Sequence, residues 1–269
     1  MLRKLLKHEL IATGRMMWVI YVAMAALSVA ANLSMRVMSL SIADFLLVRI
    51  LLTLVLVAWG FSLVLGVLAT LVLMVRRFYS NLLTDQGYLM FTLPTTPHQL
   101  VLSKLIVAAL WLLLSIFMVV LCLVIAFLSG GFLQEAGEIL GGIFQTLTAR
   151  YALNGVAIVL ELLILAFVAS AANILQFYSA MSLGYGFTNH KALWSVVMYF
   201  LQSFALRVIS TVLLVTPLNA LSLPDGGFPL TTMQSVHLTM LSLLGLELVF
   251  CAIFYILTVV NLQKRLNLE

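Results

Sequence analysis

Charge is what this sequence has least of. Only 9% of its 269 residues are Asp, Glu, Lys or Arg, against 64% hydrophobic, whereas soluble domains carry about a quarter charged residues. With a mean hydropathy of +1.20, the chain belongs in lipid. Proline is scarce too, and all five prolines fall in links between apolar runs. Spans broken near mid-membrane, a mark of many secondary transporters, are therefore not expected. The two cysteines, Cys122 and Cys251, lie inside apolar runs, where a thiol behaves as a small buried hydrophobe. Neither a disulfide framework nor a CxxC metal motif is present.

Catalytic signatures are missing as well. No G-x-x-x-x-G-K-[ST] loop occurs, so this chain does not cradle nucleotide phosphates by itself. His8, His98, His190 and His237 are scattered over different links. No H-E-x-x-H or paired-carboxylate motif exists, which argues against an intramembrane metalloprotease or hydrolase. The expectation is a chain that is not an enzyme and binds no metal. Its net charge of +5 does not point to nucleic acid, because basic residues beside apolar spans report orientation in a bilayer.

What is present is a series of long apolar runs. At about 20 residues per crossing, they make six spans: 16–33, 45 to about 75, 105–128, 154–178, 192–215 and 237–260. The expected fold is all-α, a polytopic membrane protein of one domain covering 1–269, without an internal repeat or a soluble module. Ahead of the first span, Leu2, Leu5 and Leu6 fall on one face of a helix and Arg3, Lys4, Lys7 and His8 on the other. Glu9 interrupts the apolar side. This pattern predicts an interfacial helix over 1–14, its basic face toward anionic lipid. The competing reading is the leader of a secretory signal, with Met16 to Ser28 as its apolar region and Val29, Ala30 and Ala31 as a cleavage site; an uncut segment is expected. Phe132, Leu133, Ala136, Ile139, Leu140, Ile143, Phe144 and Leu147 recur at helical spacing and predict a second surface helix over 130–150, on the opposite side.

Orientation follows from the basic residues. In this layout Arg3, Lys4, Lys7, Arg15, Arg76, Arg77, Lys104, Lys191, Lys264 and Arg265 fall on one side, and only Arg36, Arg49 and Arg150 on the other. Ten against three of the 14 Lys and Arg predicts cytoplasmic termini and a cytoplasmic link between spans two and three.

That link, RRFYSNLLTDQGYLMFTLPTTPHQLVLSK from Arg76 to Lys104, mixes charge, aromatic rings, proline and helix-start chemistry. The second helix is expected to run through Arg76 and Arg77 to about Leu83. Asp85, Gln86 and Gly87 then make a turn in which glycine takes a left-handed cap position. Tyr88, Leu89, Met90, Phe91 and Leu93 form a short apolar and aromatic patch that ends at Pro94. Thr96, Pro97 and Gln99 have the order of a capping box with proline at the first helical position, so a new helix begins at Pro97. The residues alone leave two readings open: a docking surface for another protein, or a hairpin whose aromatics lie at the lipid interface.

With its amphipathic start, six spans and YLMFTLPTTPHQLVLSK after a basic and aromatic exit from span two, the chain resembles the permease subunits of bacterial ABC-2 type transporters. The resemblance covers the whole layout and is sequence-specific over about Phe78 to Lys104. It implies that Asp85 to Thr95, including Thr92, is the coupling segment that docks in a groove of a separate ABC ATPase subunit. Tyr88, Phe91 and Leu93 would be its plugs, and Ser103 and Lys104 the polar pair opening the third span. It further implies a second permease copy or paralogue in a dimer, ATP and Mg on the partner ATPase with no cofactor in this chain, and outward transport. The setting implied is the bacterial cytoplasmic membrane. Two other classes remain, a secondary transporter or channel and a non-transporting receptor or immunity protein.

Three ionisable residues fall within spans: Glu161, Arg207 and Glu247. Each lies roughly 10–15 Å below its outer helix end at about 1.5 Å rise per residue, so a shared level is expected. Charges at that depth cost several kcal/mol unless paired or wetted. Arg207 is therefore expected to pair with Glu161 or Glu247, leaving the other carboxylate on a water-accessible path; a purely structural ion pair is the alternative.

Overall fold

In hydrocarbon every backbone N–H and C=O must be satisfied within the protein, which a single long apolar run achieves as a helix. The computed structural model describes residues 2–38, 40, 45–84, 87, 96–128, 137–138, 141–142, 145, 155–187, 189–215 and 232–264. Among these, six helices are long and apolar enough to cross a membrane, and no strand occurs. They are α1 (Leu2–Met38), α2 (Leu46–Leu82), α3 (Pro97–Ala126), α4 (Gly155–Gly184), α5 (Lys191–Ser210) and α6 (Thr232–Lys264). α5 continues into one π-helical turn, Thr211–Val215. The protein is a multi-pass membrane protein.

Several expectations meet the structure directly. α2 runs past Arg76 and Arg77 to Leu82, and the Leu83 amide donates to the Tyr79 carbonyl at 2.9 Å. α3 starts at Pro97 with Thr96 as its N-cap. The capping box, however, does not form: Thr96 makes no side-chain cap bond, and the Gln99 amide is taken by the Thr96 carbonyl at 2.9 Å. The backbone turn alone closes that helix start. The separate surface helix expected over 1–14 is not a separate element either. One helix runs unbroken from Leu2 to Met38, because this stretch has no proline and its one glycine, Gly14, stays helical. Its 37 residues span about 55 Å, well beyond the roughly 30 Å of hydrocarbon, so one or both ends project past the bilayer core. The surface helix expected over 130–150 lies largely outside the described residues.

The helices alternate in direction. The start of α1, the end of α2, the start of α3 and the ends of α4 and α6 come together, as the contacts of Glu9, Arg77, Lys104, Tyr178 and Tyr255 show. α3 is central, packing against α1, α2, α4 and α6, while α4 also carries α5 and α6. α5 sits at the edge and buries no side chain. α2 buries none before Gly66, so its first half lies outside the core. Its outward residues Leu47, Leu51, Leu54, Phe61 and Leu65 are exposed, as suits a lipid-facing surface.

Two glycines permit close approach. A β-carbon at Gly184 would fall on the backbone of Ser195, so α4 and α5 can meet there only without one; at Gly66 it would strike the thioether of Met24. Polar pairs hold α1, α2 and α3 together inside the apolar bulk. The Tyr21 hydroxyl lies 2.8 Å from the Ser115 hydroxyl, which lies 2.8 Å from that of Thr70. At the far end the Asn32 amide donates to the carbonyls of Ile125 and Ala126 at 3.1 and 2.8 Å. These are carbonyls that the last turn of a helix leaves without an intrahelical partner. Such interhelical bonds are worth about 1 kcal/mol each in lipid.

Candidate functional site

A buried apolar cluster surrounds the two helix ends that flank the segment 85–95. Met17, Met74, Phe78, Leu82, Leu100, Val101, Leu175 and Tyr178 are all buried there. Into this apolar setting α1 inserts a carboxylate. Glu9 accepts from Arg77 Nε at 2.5 Å through Oε2 and from Lys104 Nζ at 2.6 Å through Oε1. The Lys104 side chain is only 4% exposed and that of Glu9 12%. Two cations on one carboxylate leave the cluster net positive, with its charges hydrogen-bonded as burial demands. The apolar face of α1 thus carries its one acid inward, while Arg3, Lys4 and Lys7 are exposed as their sequence pattern predicts.

Aromatic contacts join the same two ends to the second half of the bundle. Phe78 on α2 stacks on the fully buried ring of Tyr178 on α4, with centroids 3.8 Å apart and an interplanar angle of 11°. Tyr79 meets Tyr185 edge-on at 5.5 Å. From α3, His98 Nδ1 lies 3.1 Å from the hydroxyl of Tyr255 on α6. Each aromatic pair adds about 0.5–1.5 kcal/mol beyond area burial. The end of α2 is thus tied to α1 and α4, and the start of α3 to α1 and α6.

The coupling residues expected from the sequence, Asp85, Gln86 and Tyr88 to Thr95, lie outside the described residues. Gly87 is described, and its amide donates to the Thr84 carbonyl at 2.7 Å.

No family model matches this chain, and no curated protein or solved structure resembles it significantly. The chemistry of the site accordingly rests on its own geometry.

Within the spans, the expected pairing is not the one formed. Glu161 meets His237, with both carboxylate oxygens 3.0 Å from Nδ1. Arg207 makes no ion pair with either carboxylate. For Glu161 the reason is depth. Arg207 and Glu247 line one cavity of about 190 Å³ with Ala172, Asn173 and Gln176, and Glu161 lies eleven residues from Ala172, about 17 Å of helix rise. The three residues therefore do not share a level: Glu161 belongs to the α4–α6 start, while Arg207 and Glu247 face each other's cavity deeper in the bundle.

From Gln176 in the cavity wall, polar bonds continue between α4 and α5. Gln176 Nε2 donates to the Ser203 hydroxyl at 2.7 Å and the Ser179 hydroxyl to Gln202 Oε1 at 3.1 Å. Among the described residues no group of three or more metal-ligating side chains occurs. Sequence reasoning missed the Glu9 cluster and the His237 pair. The signal for the first was present, an acid on the apolar face of a basic helix; for the second there was none, since His237 falls at a span boundary.

Proposed function

We propose that this chain is the permease subunit of an ATP-driven transporter of the ABC-2 type, an exporter in the bacterial cytoplasmic membrane, with ATP hydrolysis on a separate subunit. What carries the reading is the joint at the flanks of 85–95. Arg77 on the entering helix and Lys104 on the leaving one both bond Glu9 of α1, while Phe78 stacks on Tyr178 of α4 and His98 meets Tyr255 of α6. A push delivered to that segment by a partner is thus spread over five helices. Residues 85–95 then act as the coupling segment, with both termini cytoplasmic, and two such chains enclose the path. Movement follows alternating access, in which nucleotide-driven closure of the ATPases rocks packed helices against one another.

The Arg207 and Glu247 cavity is the natural place on this chain for a polar cargo group to be met. Charges at that depth are expensive unless solvated or paired, and their shared cavity fits such a use.

The test is co-purification from membranes followed by nucleotide hydrolysis. A soluble ATPase is expected to come with the wild-type chain, and deletion of 85–95 to release it while the protein stays membrane-inserted. Retention of the ATPase by the deletion variant, or purification of the wild type without one, overturns the proposal. A second reading, a secondary transporter, is favoured by one observation: α5 leaves regular α-helix at Thr211–Val215, one residue beyond Ser210 in the cavity wall. Transport that persists without any ATPase and follows an ion gradient would support it.

A further inference from the structure

A cleft of about 250 Å³ lies between α1 and α2, beside the Glu9 cluster and distinct from the cavity of Arg207 and Glu247. Its walls divide by chemistry. Thr13, Arg76, Arg77, Ser80 and Asn81 supply polar groups, while Met16, Met17, Leu73 and Met74 supply apolar ones. Along α2 the two sets follow in order, apolar at 73–74 and polar at 76–81, so the cleft passes from apolar to cationic along the helix.

The polar groups are largely unspent. Glu9 engages Arg77 through Nε alone. The other guanidinium nitrogens of Arg77, the Arg76 guanidinium, the Ser80 hydroxyl and the Asn81 amide have no hydrogen-bond partner among the described residues. Thr13 is already used, accepting from Trp111 Nε1 at 2.8 Å and donating to the Glu9 carbonyl at 2.7 Å. Two guanidinium groups, a hydroxyl and an amide within two helical turns form a donor set suited to a phosphate oxygen cluster, since guanidinium binds phosphate bidentately.

Position selects the ligand. From Ile50 to Val75 α2 carries no charge, about 39 Å of apolar helix, so Arg76 stands where hydrocarbon gives way to head groups. A soluble anion would use only the cationic half and leave the methionine half empty. We propose that this cleft is a binding site for one anionic phospholipid, its phosphate held by Arg76, Arg77, Ser80 and Asn81 and its first acyl carbons lying against Met16, Met17, Leu73 and Met74. The site pins α1 to α2 next to the joint at 85–95. It needs only that this end of the bundle meets head groups, so it stands or falls independently of the transporter reading.

Protein purified in a neutral detergent is titrated with phosphatidylglycerol, with phosphatidylcholine and with inorganic phosphate, reading thermal stability and the lipid retained in native mass spectra. Phosphatidylglycerol alone is expected to raise the melting temperature, with one lipid retained per chain. Arg76→Gln is expected to weaken that binding about fivefold, the worth of one basic residue at an anionic surface. Ser80→Glu, which sets a carboxylate among the donors, is expected to abolish it. The double change Arg3→Gln and Lys4→Gln, on the exposed face of α1, is expected to leave it intact. Equal stabilisation by phosphatidylcholine or by inorganic phosphate overturns the proposal. So does unchanged phosphatidylglycerol binding in both Arg76→Gln and Ser80→Glu.

Discussion

Lys104 and Glu9 stand 95 residues apart in the chain and 2.6 Å apart in space, Nζ to Oε1. The contact ties the first helix to the start of the third, and Arg77 completes it from the end of the second. Separating the partners would leave buried charges uncompensated, which favours this arrangement of the three helix ends.

Glu9→Gln leaves the 4%-exposed Lys104 ammonium without a counter-charge. Removing one partner of a buried pair costs about 3–5 kcal/mol, so thermal unfolding in detergent is expected at a clearly lower temperature. The double change Glu9→Met and Lys104→Met removes both charges and is expected to recover much of that loss. A double variant as unstable as the single one would show that the charges do not act as a pair.

Phe78→Ala opens a hole against the fully buried Tyr178 ring. A loss of about 3–5 kcal/mol is expected. Phe78→Leu, which retains more of the packing volume, separates stability from coupling: under the transporter proposal it lowers transport per ATP hydrolysed more than it lowers the melting temperature. Unchanged coupling in Phe78→Leu would remove the stack from the force path.

The two intramembrane carboxylates are predicted to behave differently. Glu247 lines the cavity with Arg207, so Glu247→Gln is expected to reduce transport while leaving insertion and stability near wild type. Glu161 and His237 are 31% and 27% exposed, and partly exposed pairs are worth about 0–1 kcal/mol. Glu161→Gln is therefore expected to transport normally with a slightly lower melting temperature. Equal transport defects in the two variants would contradict the separation in depth.

Gly184→Ala places a methyl group on the Ser195 backbone, which cannot yield as a flexible side chain does. Overpacking of this kind costs about 1–3 kcal/mol, and α5, which buries no side chain of its own, is the element that gives way. Gly60→Ala is the control: nothing lies within 4 Å of its β-carbon, and replacing a mid-helix glycine gains about 0.5–1 kcal/mol. Proteolysis or cysteine labelling near the α4–α5 turn reads the first, and thermal unfolding the second.

Membrane crossing was legible residue by residue, because hydrocarbon leaves the backbone no partner but itself and a long apolar run has little choice but helix. The exit of α2 near Leu83 and the entry of α3 at Pro97 followed from equally local rules, a polar turn and a proline that fixes its own backbone angle. Which helix touches which did not follow, because helices that are apolar on every side offer no periodic stripe to say where a neighbour lies. The partner of Glu9, the pairing of Glu161 with His237 and not with Arg207, and the sharing of one cavity by Arg207 and Glu247 all depend on relative depth and rotation. Those are set by packing among all six helices, where a few ångströms of sliding along an axis changes every partner while leaving each helix, taken alone, the same.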